Sequence, residues 1–180
     1  MFNFSYWRNT MGEMARKISK VDHDELLKIL NIAYAEEWLA YYQYWLGAQV
    51  ALGPHRSNIV DEFMEHAAQE LKHAQMLSDR IIELGGVPIL SPSKWESVAL
   101  CHYEEPANPQ ITELLKQNLI SERCAIARYE KICEMTFGKD YETHRISAKI
   151  LHEELEHEQE ISDFQDDIAS ELEIWCQNDK

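Results

Sequence analysis

The chain has 180 residues, of which 45% are apolar and 27% charged, and its formal net charge is −15. That length is enough for one domain with a core. The negative charge argues against nucleic acid as a partner, because such binding needs basic surface, and it favours attraction of cations. No apolar run approaches the roughly 20 residues of a membrane span, and we expect no signal peptide. With four cysteines, we expect a cytoplasmic protein whose thiols are reduced by default.

Apolar residues recur at helical spacings of three and four over four long stretches, which predicts an all-α protein. We place the helices at about 22–52, 57–84, 109–137 and 140–175, after an N-terminal extension at 1–21, in a single domain 1–180. The candidate N-caps are, in chain order, Asp22 or Asp24, Ser57 or Asn58, Asn108 with Pro109 as the first helical residue, and Asp140. Ser170 is a candidate break near the end of the last helix.

The connection at 85–108 contains two glycines and three prolines. It is longer than antiparallel neighbours need and long enough to cross the length of a helical bundle. Residues 93–101 within it are predicted to form a short helix.

Each predicted helix carries ionisable residues on its apolar face. The first and third helices carry one glutamate each, and the second and fourth each carry Glu-x-x-His. Residues three apart lie on one face of a helix, so each motif can direct a carboxylate and an imidazole at one ion. The six residues are Glu37, Glu70, His73, Glu122, Glu154 and His157.

The two halves of the chain repeat this pattern. The single glutamate and the glutamate of the following motif are 33 residues apart in the first half and 32 in the second. A tyrosine follows each single glutamate by seven residues, at Tyr44 and Tyr129. Each half therefore reads as a helical hairpin that contributes half of one site.

Four carboxylates and two imidazoles would be costly to bury unpaired, and two cations between them would remove that cost. Oxygen ligands with some imidazole suit iron or manganese. A hydrogen-bonded network without metal, or helices whose Glu and His face solvent, are the alternatives. The placement of all six residues on four apolar stripes favours the metal site.

The sequence resembles the ferritin-like di-iron carboxylate proteins, in which two helices give one Glu each and two give Glu-x-x-His. Residues 37–44 and 70–74 look like the first- and second-helix motifs of bacterioferritin. The resemblance implies a four-helix bundle with a long crossover between helices 2 and 3. It implies that Glu70 and Glu154 bridge two irons, and that Tyr44 and Tyr129 orient ligand carboxylates, although core packing explains the tyrosines equally well. The ligand pairs that complete the two iron sites would be Glu37 with His73 and Glu122 with His157.

Two departures from bacterioferritin narrow the resemblance. Leu71 stands where bacterioferritin has its haem-binding Met, so no haem is expected. Cys101 in the connection and Cys124 after Glu122 make the chain similar to the Dps-like thioferritins, which combine a di-iron site, a cysteine pair and a shell of twelve subunits. The resemblance implies a redox-active pair, and two unrelated buried thiols are the alternative. Cys133 is predicted to be a core residue, and Cys176 lies near the chain end.

By resemblance, the protein is expected to be a ferroxidase with two iron ions per subunit, or manganese in their place. It would oxidise Fe(II) with hydrogen peroxide or dioxygen and store Fe(III) in a homo-oligomeric shell, which would protect against oxidative stress. A rubrerythrin-like peroxidase and a manganese catalase, both without iron storage, are the enzyme alternatives. A Dps-type DNA-protecting protein is the non-enzyme alternative, which the charge disfavours.

Other ionisable residues lie near the six. His66, one turn before Glu70, is interpreted as a core histidine in preference to an extra ligand. His152 and Glu153 lie off the stripe of the fourth helix and are predicted to surround the site or to lie at the surface. Glu156, Glu158 and Glu160 are predicted to form a solvated face.

Overall fold

The structure is a computed structural model that describes residues 13–178, with the side chains at 172 and 175–178 outside the description. Expectations for residues 1–12 and for Cys176 therefore lie outside the described residues. The helices are α1 Glu13–Ile18, α2 His23–Val50, α3 Arg56–Glu83, α4 Trp95–Val98, α5 Ile111–Thr136 and α6 Tyr141–Asn178, with a 3-10 turn at Pro92–Lys94. Within this range, no helix has the length and apolar character needed to cross a membrane.

The four long helices form a bundle of two hairpins, α2 with α3 and α5 with α6. The crossover at 84–110 runs the length of this bundle. Its far end is fixed beside the end of α2, where Leu52 N–H donates to Pro109 O (2.8 Å) and Ile111 N–H donates to Leu52 O (2.9 Å). The predicted all-α bundle, with a long crossover between its second and third long helices, is confirmed.

Two of the predicted caps are present. Asp22 accepts hydrogen bonds from Asp24 N–H and Glu25 N–H at the start of α2, both at 3.0 Å. Asp140 precedes α6 and accepts a hydrogen bond from Thr143 N–H at 2.9 Å. Each cap satisfies backbone donors that the first helical turn leaves unpaired.

Three of the predicted helix signals are wrong. The residue before α3 is His55, in the left-handed region at φ 58°, and neither Ser57 nor Asn58 caps the helix. Helix α5 begins at Ile111 because the Pro109 carbonyl and the Ile111 N–H pair with Leu52. Helix α6 continues through Ser170 without a break, because one serine in a long packed helix costs little.

The crossover is attached to α2 through a buried carboxylate and a stacked tryptophan pair. Glu36 accepts hydrogen bonds from the backbone N–H groups of Leu100 (2.8 Å) and Cys101 (3.0 Å). Trp95 of α4 stacks on Trp38 with ring centroids 5.0 Å apart and planes at 5°. These contacts fix the position of Cys101.

Two apolar cores lie at opposite ends of the bundle. One is built around Leu26, Leu30 and Ile81, and the other around Phe63, Leu115 and Ile161. The six ionisable residues predicted from the sequence occupy the layer between these cores. The fold therefore holds a polar layer inside an otherwise apolar bundle.

Candidate metal centre

The six predicted ligand residues converge in the middle of the bundle. Every one of them is at most 2% exposed. They come from all four long helices: Glu37 from α2, Glu70 and His73 from α3, Glu122 from α5, and Glu154 and His157 from α6.

Their ligand atoms divide into two overlapping groups of four. One group joins Glu37 and His73 with two further glutamates, and the other joins Glu122 and His157 with the same two glutamates, Glu70 and Glu154. Within each group the ligand atoms lie within 4.8 Å of one another. A pair of cations bridged by carboxylates requires this geometry, in which two carboxylates belong to both groups of ligand atoms.

The buried atoms of this layer fit such cations. Its polar atoms that lack any hydrogen-bond partner are Glu37 Oε2, Glu70 Oε1, Glu122 Oε2, both carboxylate oxygens of Glu154, and His157 Nδ1. Buried polar atoms are normally paired, so a cluster of unpaired acceptors from four helices is expected only where ions complete it. The donor set of carboxylates and imidazoles suits iron or manganese.

The protonation of the layer reflects the same crowding. Burial, together with the charge of Glu70, raises the pKa of Glu37 well above its ordinary value, and burial with the charge of Glu154 does the same for Glu122. Burial also opposes ionisation of Glu70, but the two histidine rings beside its carboxylate lower its pKa. The raised pKa values mean that Glu37 and Glu122 tend to keep their protons in the buried cluster, and metal binding would release those protons.

Each histidine turns Nδ1 toward the carboxylates and its other nitrogen outward. His73 Nε2 lies 3.1 Å from a carboxylate oxygen of Glu153, and His157 Nε2 pairs with the amide oxygen of Gln69. Such partners fix the tautomer and ring orientation of a metal-binding histidine, and here they keep Nδ1 directed at the carboxylate cluster. Both partners directly precede the glutamate of a Glu-x-x-His motif, and each pairs with the histidine of the opposite helix.

The two tyrosines of the repeat also reach across the bundle. The Tyr44 hydroxyl donates to Glu122, and the Tyr129 hydroxyl donates to Glu37. Both rings are fully buried, so they pack in the core as well. Each half of the repeat therefore holds the single glutamate of the other half.

Cys101 and Cys124 are joined in a disulfide that links the crossover to α5, with Cα atoms 5.8 Å apart. Glu36, which binds the Cys101 N–H, forms a buried ion pair with Arg128 of α5 at 2.9 Å. A small cavity of about 10 Å³ is lined by Cys101 and by carboxylates of the polar layer that contains the six predicted ligands. The disulfide therefore lies beside the site without contributing a ligand to it.

The remaining predicted residues separate into core and surface. His66 is 1% exposed and contacts Glu160, while Cys133 is a partly buried free thiol. His152 and Glu156 are exposed. Glu158 instead forms an ion pair with Arg123.

Sequence analysis missed Gln69 and the Glu36–Arg128 pair. The repeat offered a signal for Gln69, because it occupies the same position as Glu153 in the other half. The buried ion pair had no such signal, since Glu36 lies next to Glu37 and off the apolar stripe.

A four-helix bundle with two glutamates and two Glu-x-x-His motifs at its centre defines the ferritin-like class of di-iron carboxylate proteins. The family model described as ferritin-like domain matches residues 27–170, and the chain belongs to that family.

Particular relatives narrow the comparison. The chain is 36% identical over 139 residues to the DNA protection during starvation protein of Pyrococcus furiosus, covering 77% of this chain and 75% of the relative. It is 50% identical to a dodecameric thioferritin, the bacterioferritin-related protein of Bacteroides fragilis, covering 89% of this chain and 97% of that one with a TM-score of 0.88. Dps from Thermosynechococcus elongatus shares the fold, at 16% identity over 78% of this chain and 90% of that one, with a TM-score of 0.75.

Proposed function

We propose that the protein is a ferroxidase that oxidises Fe(II) with hydrogen peroxide or dioxygen and stores the Fe(III) product in a hollow shell. The observation that carries this proposal is the pair of four-ligand groups that share Glu70 and Glu154. The six central residues would hold two irons, and two irons bound together would supply two electrons to one oxidant. A two-electron reduction of peroxide avoids the one-electron step that releases hydroxyl radical.

The chain's own residues perform the positioning in this proposal. His73 and His157 each present Nδ1 to the shared carboxylates, because Glu153 and Gln69 hold their outer nitrogens. Tyr129 donates a hydrogen bond to Glu37, and Tyr44 donates one to Glu122. These two carboxylates each belong to only one of the four-ligand groups. The apolar cores above and below keep bulk water out of the layer.

Anaerobic Fe(II) titration followed by stopped-flow mixing with peroxide or air tests this proposal. We expect at least two tight irons per chain and fast oxidation after mixing. Fewer than one tight iron per chain would overturn it. Fast peroxide consumption without retained Fe(III) would favour a rubrerythrin-like peroxidase, and manganese in the isolated protein with peroxide disproportionation would favour a manganese catalase.

We further propose that Cys101 and Cys124 form a redox pair that serves the metal layer. The small cavity that Cys101 lines together with carboxylates of the six central residues supports this, because it places one member of the pair beside those carboxylates. Two thiols that become a disulfide release two electrons and two protons, and one hydrogen peroxide that accepts them becomes two waters.

The redox pair is tested by reducing the protein, loading it with Fe(II) and adding peroxide. We expect mass spectrometry to find the Cys101–Cys124 disulfide restored. Cys133, which is a free thiol within the part of the chain that the structure describes, is the internal control, and we expect it to stay a thiol. Two free thiols at 101 and 124 after complete iron oxidation would overturn the proposal.

A DNA-protecting role is the second candidate, because the Pyrococcus furiosus relative carries that name. The net charge of −15 opposes it, since binding to phosphates requires basic groups. A gel shift at low salt distinguishes the two, and we expect no retardation of DNA.

A further inference from the structure

A second cluster of possible metal ligands lies outside the six-residue site. His66 of α3 directs Nε2 at two carboxylates, 2.9 Å from Glu160 Oε2 of α6 and 3.4 Å from Glu62 Oε1 one turn earlier on α3. The histidine side chain is 1% exposed, whereas Glu62 and Glu160 are 27% and 49% exposed. The cluster thus runs from the buried core to the solvent on the α3–α6 face.

The charges of this cluster are not balanced by basic residues. Within residues 13–178, neither Glu62 nor Glu160 forms an ion pair with a lysine or arginine, and His66 is their common partner. Burial and the neighbouring charge of Glu160 raise the pKa of Glu62. Two carboxylates that meet at one imidazole nitrogen, without a basic side chain between them, leave room for a positive ion.

The internal repeat shows that the fold does not require polar residues here. With the two Glu-x-x-His motifs superimposed, the cluster positions correspond in the other half to Ile146, Ile150 and Met76. Those residues are buried or partly buried in the apolar core at the opposite end of the bundle. His66 therefore occupies a buried position that its counterpart Ile150 fills with an apolar side chain, and two partly exposed glutamates lie beside it.

We propose that Glu62, His66 and Glu160 form a third cation site, which takes a divalent transition-metal ion such as Fe(II), Co(II) or Mn(II). One imidazole and two carboxylates suit these ions. Ligands about 2.0–2.2 Å from one ion lie about 3–4 Å from one another, which agrees with the 2.9 and 3.4 Å separations. The exposed side of the cluster leaves positions for water.

The third site adjoins the central layer and is separate from it. The His66 ring stacks on the His157 ring with centroids 4.1 Å apart, but the two histidines direct their ligand nitrogens at different carboxylates. The site also lies away from Cys101, which sits against α2 and α5. An ion held there would stand between solvent and the central pair of ions.

Anaerobic equilibrium dialysis with Co(II) tests the site in the full-length protein. We expect three ions per chain in the unaltered protein and two in the Glu62→Gln/Glu160→Gln variant, with the third ion weakened at least about tenfold. The matched control is Asp61→Asn/Glu156→Gln, which removes the same charge from exposed positions on the same helices and should keep three ions. Circular dichroism verifies that both variants are folded.

Anomalous diffraction from Co(II)-soaked crystals distinguishes the sites directly. We expect one peak bonded to His66 Nε2 in addition to those among the six central ligands. Equal stoichiometry in the protein and the Glu62→Gln/Glu160→Gln variant, or central peaks without one at His66, would overturn the third site. Loss of the central peaks alone would count against the proposed ferroxidase and leave the third site standing.

Discussion

At the scale of single residues, each half of the chain contacts and orients proposed metal ligands of the other half. Tyr44 binds Glu122 and Tyr129 binds Glu37, and each histidine pairs with a residue of the opposite Glu-x-x-His helix. Four of the six proposed ligands are therefore oriented by a group from another helix. Such supporting contacts determine how precisely a metal site is formed.

Replacing either shared glutamate should abolish rapid iron oxidation. We expect Glu70→Ala or Glu154→Ala to lower the initial rate of Fe(II) oxidation at least about 100-fold, because each change removes a ligand from both groups. Stopped-flow absorbance measures the rate. The control is Glu156→Ala, since Glu156 is exposed on the helix that carries Glu154. A Glu70→Ala or Glu154→Ala variant with the full rate would refute the ligand assignment.

These two variants should also stay folded in the absence of metal. Removing one carboxylate relieves repulsion among those that remain in the buried layer. Thermal unfolding of the metal-free proteins followed by circular dichroism gives the comparison, and we expect equal or higher Tm than for the unaltered protein. A lower Tm would show that the carboxylate stabilises the metal-free bundle.

Removing one tyrosine hydroxyl should weaken one half of the site. We expect Tyr129→Phe to reduce metal affinity roughly tenfold for the ion held by Glu37, because that carboxylate loses its only hydrogen bond from a tyrosine. Anaerobic Fe(II) titration measures the change. Tyr41→Phe removes a hydroxyl from a neighbouring ring outside the site and should have no effect. An unchanged affinity in Tyr129→Phe would mean that the tyrosine serves core packing alone.

At the scale of elements, the crossover is the part of the fold that joins both hairpins. Glu36 of α2 binds the backbone of the crossover and the guanidinium of Arg128 on α5. Both side chains are buried, at 6% and 8% exposure. One carboxylate therefore fixes three elements beside the metal layer, together with the disulfide.

Breaking this buried pair should loosen the crossover. We expect Glu36→Gln to destabilise the protein by about 3–5 kcal/mol, because Arg128 keeps a buried charge without a partner. It should also speed reduction of the Cys101–Cys124 disulfide by dithiothreitol. Chemical denaturation and thiol titration measure the two effects. Glu36→Gln/Arg128→Met removes both charges and should recover part of the stability, and equal stability of the two variants would contradict this account.

At the scale of the whole molecule, the net charge of −15 must be distributed so that repulsion between carboxylates does not destabilise the fold or an assembly. Carboxylates in pores or in an enclosed space would attract Fe(II) and raise its local concentration. The Bacteroides fragilis thioferritin, whose similarity covers 89% of the present chain, is described as dodecameric. A closed shell would enclose the Fe(III) that the proposed function requires the protein to store.

We expect the protein to form a shell of about twelve subunits. The chain mass is 21.1 kDa, so light scattering should give a particle close to twelve times that mass. Measurement at low and high salt serves as the control, because an assembly held by apolar contacts should persist when charges are screened. A stable monomer or a particle of twenty-four subunits would contradict the prediction.

The sequence by itself determined the four helices and the six residues at their centre. Helical spacing is a local property, and ionisable residues on an apolar stripe stand out without knowledge of their neighbours. The residues at which helices begin were predicted less reliably. Asn108 was predicted to cap a helix that starts at Pro109, but backbone hydrogen bonds between Leu52 of the other hairpin and residues 109 and 111 delay the start to Ile111.

Only the tertiary structure decided what those residues contact. Which tyrosine binds which glutamate, the pairing of Glu36 with Arg128, and the meeting of His66 with Glu160 all join residues 78 to 94 positions apart. Such contacts depend on how the two hairpins pack and on the path of the crossover. Because periodicity describes one helix at a time, it locates a side chain on a face but does not identify the partner that the packed bundle places opposite it.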